Sequence, residues 1–145
     1  MNDVRDAQFV AKASDGSTVR RPLSPHAGIY RWPVTMFASI MNRVTGVALS
    51  VGLLLLVWWL VAAASGPAPF ALVQEFLHSP LGLLVLVGWT VALFYHLFAG
   101  LRHLAWDMGF GFAKPTLDAI TWVVFAATGI ATVLVWGIAY ARLEG

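Results

Sequence analysis

Two histidines, an arginine and an aspartate interrupt an otherwise apolar stretch, His96-Leu-Phe-Ala-Gly100-Leu-Arg102-His103-Leu-Ala-Trp106-Asp107. Ionisable side chains cost about 2.5–3.5 kcal/mol each at the centre of a spanning helix. A chain that keeps them there needs something to offset the cost. His96, Gly100, His103 and Asp107 follow the i, i+4, i+7, i+11 spacing that lines one helical face. That face carries an imidazole nitrogen, a position with no side chain, a second imidazole and a carboxylate. A flat, anionic cofactor such as haem fits such a stripe, with His96 as an axial ligand, Gly100 making room for a porphyrin edge and His103 meeting a propionate. Equally, a membrane histidine can simply hydrogen-bond across helices, and a glycine can merely permit close packing. Arg102 and Asp107 read as interface markers, where snorkelling charges are ordinary.

A second polar pair, Ser39 and Arg43, lies one turn apart on one face. A hydroxyl beside a fixed cation can hydrogen-bond a quinone carbonyl and stabilise negative charge on it. The plainer alternative is an arginine anchoring its helix to lipid phosphates. Gly46-xxx-Ser50 and Ala48-xxx-Gly52 read as helix-packing faces.

The elements that must carry these residues follow from hydropathy. The 145-residue chain is 59% hydrophobic and only 11% charged, with a mean hydropathy of +0.77, which disfavours an ordinary soluble domain. No Lys, Arg, Asp or Glu falls between Arg43 and Glu75, between Glu75 and Arg102, or between Asp118 and Arg142. Each gap exceeds the roughly 20 residues that cross a bilayer. An all-α membrane protein with three transmembrane helices is predicted, over about 34–64, 80–108 and 116–141. Residues 21–145 then form the anchor domain. Residues 1–20, polar and mixed in charge, read as a mobile or partner-ordered tail. Ser65-Gly-Pro-Ala-Pro69 breaks the chain, residues 70–78 suit a short interfacial helix, and Ser79-Pro80 supplies a cap and first-turn proline.

With no cysteine, disulfides, iron–sulfur ligation and covalent haem attachment are excluded within this chain. No phosphate-binding glycine loop, nucleophile–base pair or zinc spacing occurs. The basic amino-terminal segment suits anionic membrane lipid rather than nucleic acid. Six Lys/Arg stand at or before Arg43, none in the 65–79 loop, and Lys114 between the second and third spans. The positive-inside rule therefore places the amino terminus and the 106–117 loop in the cytoplasm or a mitochondrial matrix. Arg43 and the His96–Asp107 stripe then share one leaflet. His26 and His78 lie outside the spans, so a second axial ligand must come from another subunit or a duplicate chain. Trp58, Trp59 and Trp136 read as outer interface anchors, and Trp32, Trp106 and Trp122 as inner ones.

His96-Leu-Phe-Ala-Gly-Leu-Arg-His-Leu-Ala-Trp-Asp-Met-Gly109 resembles the signature of the cytochrome b subunit family of succinate dehydrogenase, respiratory complex II. Arg21-Pro-Leu-Ser-Pro-His26, running on to Ile29-Tyr-Arg31, and Ser39-Ile-Met-Asn-Arg-Val-Thr-Gly46 resemble that family's other motifs. The resemblance covers roughly residues 20–140. It implies half of a heterodimeric helical bundle that binds haem b, with a second small hydrophobic anchor subunit supplying the other ligand. An iron–sulfur subunit and a flavoprotein would be anchored to the membrane. It implies His96 as axial ligand of the haem iron, Gly100 in the cofactor site, His103 and Arg43 on propionates, and Ser39 and Arg43 lining a ubiquinone site walled by Ile40 and Trp32. Asn42 departs from the histidine usual before the motif arginine; it can donate to a propionate but carries no proton at neutral pH. The related quinol:fumarate reductase anchor runs the same architecture in reverse, and a haem-free structural anchor is the other rival. The absence of a transit-peptide pattern favours a bacterial inner membrane over a mitochondrial one.

Overall fold

The computed structural model describes residues 10–20 and 28–144, in two units, Met1–Trp32 and Pro33–Gly145. In the first, β1 (Val10–Lys12) pairs antiparallel with β2 (Thr18–Arg20), Ala11 opposite Val19. Composition gave no sign of this hairpin, but its turn chemistry is local: Gly16 takes φ +84°, which a residue without Cβ adopts freely. Asp15 accepts the Ser17 amide at 2.9 Å and its hydroxyl at 2.7 Å. These two bonds hold the Asp15 carboxyl below its ordinary value.

The second unit is wholly helical among its described residues apart from short turns: α1 (Val34–Ser65), α2 (Pro67–His78), α3 (Pro80–Asp107) and α4 (Lys114–Glu144). The three long helices have the length and apolarity to cross a membrane. At 32 residues α1 is about 48 Å long, well beyond a hydrocarbon core of about 30 Å. Gly66, at φ +120°, ends α1, and proline opens α2 one residue later. The Ser79 hydroxyl accepts the Gly82 amide at 3.1 Å, so the expected cap starts α3. Gly109 at φ +88° and Gly111 at φ +86° make the turn into α4.

Two close approaches set the register of α1 on α3. His96 lies against Thr45 and Gly46, and the Trp89 indole lies against Gly52. Seven residues along α1 are matched by seven back along α3, so the helices run antiparallel. The same pairing sets Ser39 about level with Arg102 and His103. The core of this half joins α1, α3 and α4: Tyr95, Ala99 and Val124 are buried, with Met41, Phe98 and Phe125 packed around them. Small buried residues (Ala38, Ala92, Ala99) allow the approach. Thr121 and Thr128 return their hydroxyl protons to Leu117 and Val124 carbonyls at 2.7 and 2.8 Å. At the far end Trp58 and Trp59 pack on α2, their rings 5.7 Å from Phe76 and 6.0 Å from Phe70.

A Cβ at Gly52 would collide with the Trp89 ring. Gly52→Ala is therefore expected to lower the stability of the membrane-extracted protein by about 1–3 kcal/mol, as overpacking does. In a Trp89→Leu background the same substitution should have little effect. A thermal-denaturation double-mutant cycle measures the difference; equal losses in both backgrounds would show that Trp89 does not set the approach.

Candidate functional site at the seam of the first and third helices

Two adjacent stripes run down α3, and they have different environments. Tyr95, Ala99 and Arg102, spaced i, i+4, i+7, are all buried. His96, Gly100 and His103, one residue on, are only half-buried, and Asp107 is exposed. The first stripe belongs to the core with α4 and the second to the open side of the seam.

His96 is held from α1. Its Nδ1 is 3.3 Å from the Thr45 hydroxyl oxygen, and a Cβ at Gly46 would stand 3.4 Å from its Cε1. Gly46 thus packs beside the histidine ring, in keeping with the helix packing expected of it. Nothing lies within 4 Å of where a Cβ at Gly100 would be, so the face beside His96 has open space one turn away. His103 meets Trp106 edge-on, ring centroids 4.9 Å apart. Asn42 is half-buried and its Oδ1 is buried without a hydrogen-bond partner among the described residues. Turned over, the same amide offers Nδ2–H to an acceptor.

Ser39 and Arg43 are exposed and Ile40 is half-buried. Ser39, Arg43 and Gly46 follow the i, i+4, i+7 spacing, so the hydroxyl and the guanidinium share the α1 face against which His96 rests. From Arg43 to Gly46 the rise along α1 is about 4.5 Å. By helical spacing the two polar sets of the sequence therefore lie on one side of one seam. Trp32 belongs to the amino-terminal unit, where its ring is exposed. His26 and most of the Arg21–Arg31 motif lie outside the described residues. His78 is exposed and engaged locally, its Nδ1 2.7 Å from the Gln74 carbonyl oxygen.

Arg102 corrects the expectation of a snorkelling charge. It is 4% exposed, donates from Nη1 to the Thr121 hydroxyl at 3.0 Å, and its guanidinium carbon lies 4.7 Å from the centre of the Trp106 ring. Its position on the Tyr95–Ala99 stripe turns it inward to α4. The Trp106 π-face compensates part of the charge. The Tyr95 hydroxyl donates to the Ala38 carbonyl at 2.6 Å, a second tie from α3 to α1.

The residues fit a haem on the α3 face in three respects. His96 offers a ring nitrogen on the half-buried stripe, Gly100 leaves room, and Asn42 holds an unpartnered polar group on the facing helix. Much of the described surface remains apolar and uncovered: 17% of an apolar 18-residue stretch of α3 is buried inside the chain. Lipid or partner helices must cover the rest.

The model of the succinate dehydrogenase/fumarate reductase transmembrane subunit family matches residues 17–135. A succinate dehydrogenase cytochrome b556 subunit of Paracoccus denitrificans is 49% identical over 98 residues, 68% of this chain and 75% of the relative. Its counterpart in Rickettsia felis is 35% identical over 117 residues, 81% of this chain and 91% of the relative. The mitochondrial succinate dehydrogenase cytochrome b560 subunit of Sus scrofa is 38% identical over 115 residues, 78% and 68% of the two chains. With three membrane-length helices in place and the match running from the hairpin into α4, the chain belongs to the succinate dehydrogenase/fumarate reductase transmembrane subunit family.

Proposed function

We propose that this chain is the haem b-binding membrane anchor of a succinate:quinone oxidoreductase, and that it helps form the site where ubiquinone accepts electrons derived from succinate. The observation that carries the reading is the half-buried His96 imidazole, held at the α1–α3 seam beside open space at Gly100 and on the same side as Ser39 and Arg43. The cytochrome b names of the relatives support the cofactor.

In this reading His96 would hold the haem through its second ring nitrogen, and a histidine of a second small anchor subunit would supply the other ligand. Bound haem supplies a one-electron relay. Asn42 and His103 would hold propionates, with Arg43 adding a charge. Ser39 donates its hydroxyl proton, and Arg43 its guanidinium protons, to quinone carbonyl oxygens. They orient the ring and favour the negative charge it gains on reduction. Ile40 supplies an apolar wall. Succinate oxidation belongs to a flavoprotein, and electron delivery to an iron–sulfur subunit docked at the same membrane surface; this chain has no activity alone. The membrane is a bacterial inner membrane, and the distribution of Lys and Arg puts the amino terminus on its cytoplasmic side.

Purification through a tag on this chain in mild detergent tests the reading. Flavin, iron–sulfur absorbance and succinate-dependent quinone reduction are expected to co-elute with it. A chain recovered quantitatively without flavin would overturn the assignment.

A further inference from the structure

The Thr45 hydroxyl stands among three possible partners. Its oxygen is 2.8 Å from the Met41 carbonyl oxygen, 3.1 Å from that of Asn42 and 3.3 Å from His96 Nδ1. A hydroxyl has one proton, and a backbone carbonyl can only accept. The shorter contacts, both local to α1, therefore take the proton, as threonine hydroxyls commonly do in helices. Toward His96 the hydroxyl is left with a lone pair. The contact is a hydrogen bond only if Nδ1 carries the hydrogen and donates it. In a neutral imidazole that leaves the lone pair on Nε2.

We propose that Thr45 is the positioning residue for His96: it fixes the tautomer that frees Nε2 for the haem iron and holds the ring in rotation. Gly46 completes the seat. The Nδ1–Cε1 edge of the ring lies toward it, with Cε1 3.4 Å from the Cβ position, an ordinary packing distance. The edge held against α1 is thus the one that carries the hydrogen. Histidine ligands of metals generally donate their second nitrogen in this manner, and loss of such a partner weakens metal binding by about 10–100-fold. A neutral acceptor at 3.3 Å belongs at the low end of that range. Thr45 itself is pinned by its bonds to Met41 and Asn42, so α1 supplies a rigid acceptor rather than a rotating one. This inference rests on the reading of His96 as haem ligand.

The test uses the complete detergent-purified complex carrying Thr45→Val, Thr45→Ser or His96→Leu. Valine keeps the branched shape and removes the acceptor; serine restores it. Transfer of haem to excess apomyoglobin is expected to be about tenfold faster in Thr45→Val than in wild type, scaled on the outer-partner effect. The midpoint potential of the haem should also move upward, because a ligand without a hydrogen-bond acceptor is less basic and favours ferric iron less. Thr45→Ser should lie near wild type in both. Thr45→Val matching wild type in both readouts, while His96→Leu loses its haem, would overturn the positioning role alone, as would Thr45→Ser behaving like Thr45→Val. A wild-type haem spectrum retained in His96→Leu would overturn the ligand assignment and the positioning role together.

Discussion

Replacing Arg43 by alanine is expected to lower the rate of ubiquinone reduction by succinate about 100-fold while leaving succinate oxidation by an artificial dye unchanged. The magnitude is that of removing one donor aimed at charge that develops during reaction, about 10²–10³-fold. Arg43 is suited to this by its place on α1, on the face that receives His96 and one turn from Ser39. Ser39→Ala removes a neutral donor worth about 0.5–1.5 kcal/mol, so a fall of up to about tenfold is expected. Arg43→Lys keeps the charge but loses the planar fork, and its rate should fall between those of wild type and alanine. The dye accepts electrons before they reach this chain, so the ratio of the two activities isolates the quinone step. An arginine that only anchors α1 to lipid phosphates predicts the opposite pattern: both activities fall together as the complex loses its footing, or neither changes. Equal rates in Arg43→Ala and wild type would remove Arg43 from the quinone site.

Much of the architecture was legible because its signals are local. The charge-free gaps give three spans, and the observed bounds, 34–65, 80–107 and 114–144, differ from the expected ones by a few residues at the ends. Ser79-Pro80 and Ser65-Gly66-Pro67 mark boundaries by backbone chemistry alone, and α2 begins at Pro67 rather than Phe70 because proline is favoured in a first turn. The hairpin at 10–20 was missed because strands of three residues leave no hydrophobic periodicity to find.

The parts that depend on two helices meeting were less visible. Gly46 and Gly52 have the spacing of packing faces, but nothing in α1 says that one receives an imidazole and the other an indole. That follows from the register of α3. Thr45 was overlooked for the same reason: only its pairing with His96, 51 positions away, distinguishes it from any other membrane threonine. Arg102 did carry an available signal. It stands seven residues after Tyr95 and three after Ala99, the stripe that turns toward α4. Reading that stripe alongside the histidine stripe separates a buried cation from a surface one.

The largest effect is expected at His96 itself. Leucine has a similar bulk, carries no polar atom to strand in the bilayer and fills the half-buried place beside Gly46. Among the described residues, the hydrogen bond it forfeits is the 3.3 Å contact to Thr45, whose hydroxyl keeps its carbonyl partners on α1. The Tyr95–Ala38 and Arg102–Thr121 ties to the neighbouring helices are untouched. His96→Leu should therefore leave the bundle and its attachment to the catalytic subunits intact while removing the axial nitrogen. The decisive measurement is the dithionite-reduced minus oxidised optical spectrum of the purified complex, wild type beside His96→Leu, at matched flavin content. A low-spin b-type band in the wild type that is lost in the mutant is the expected result. An unchanged band in His96→Leu, or no band in the wild type, would contradict the assignment of His96 as the haem ligand of this chain.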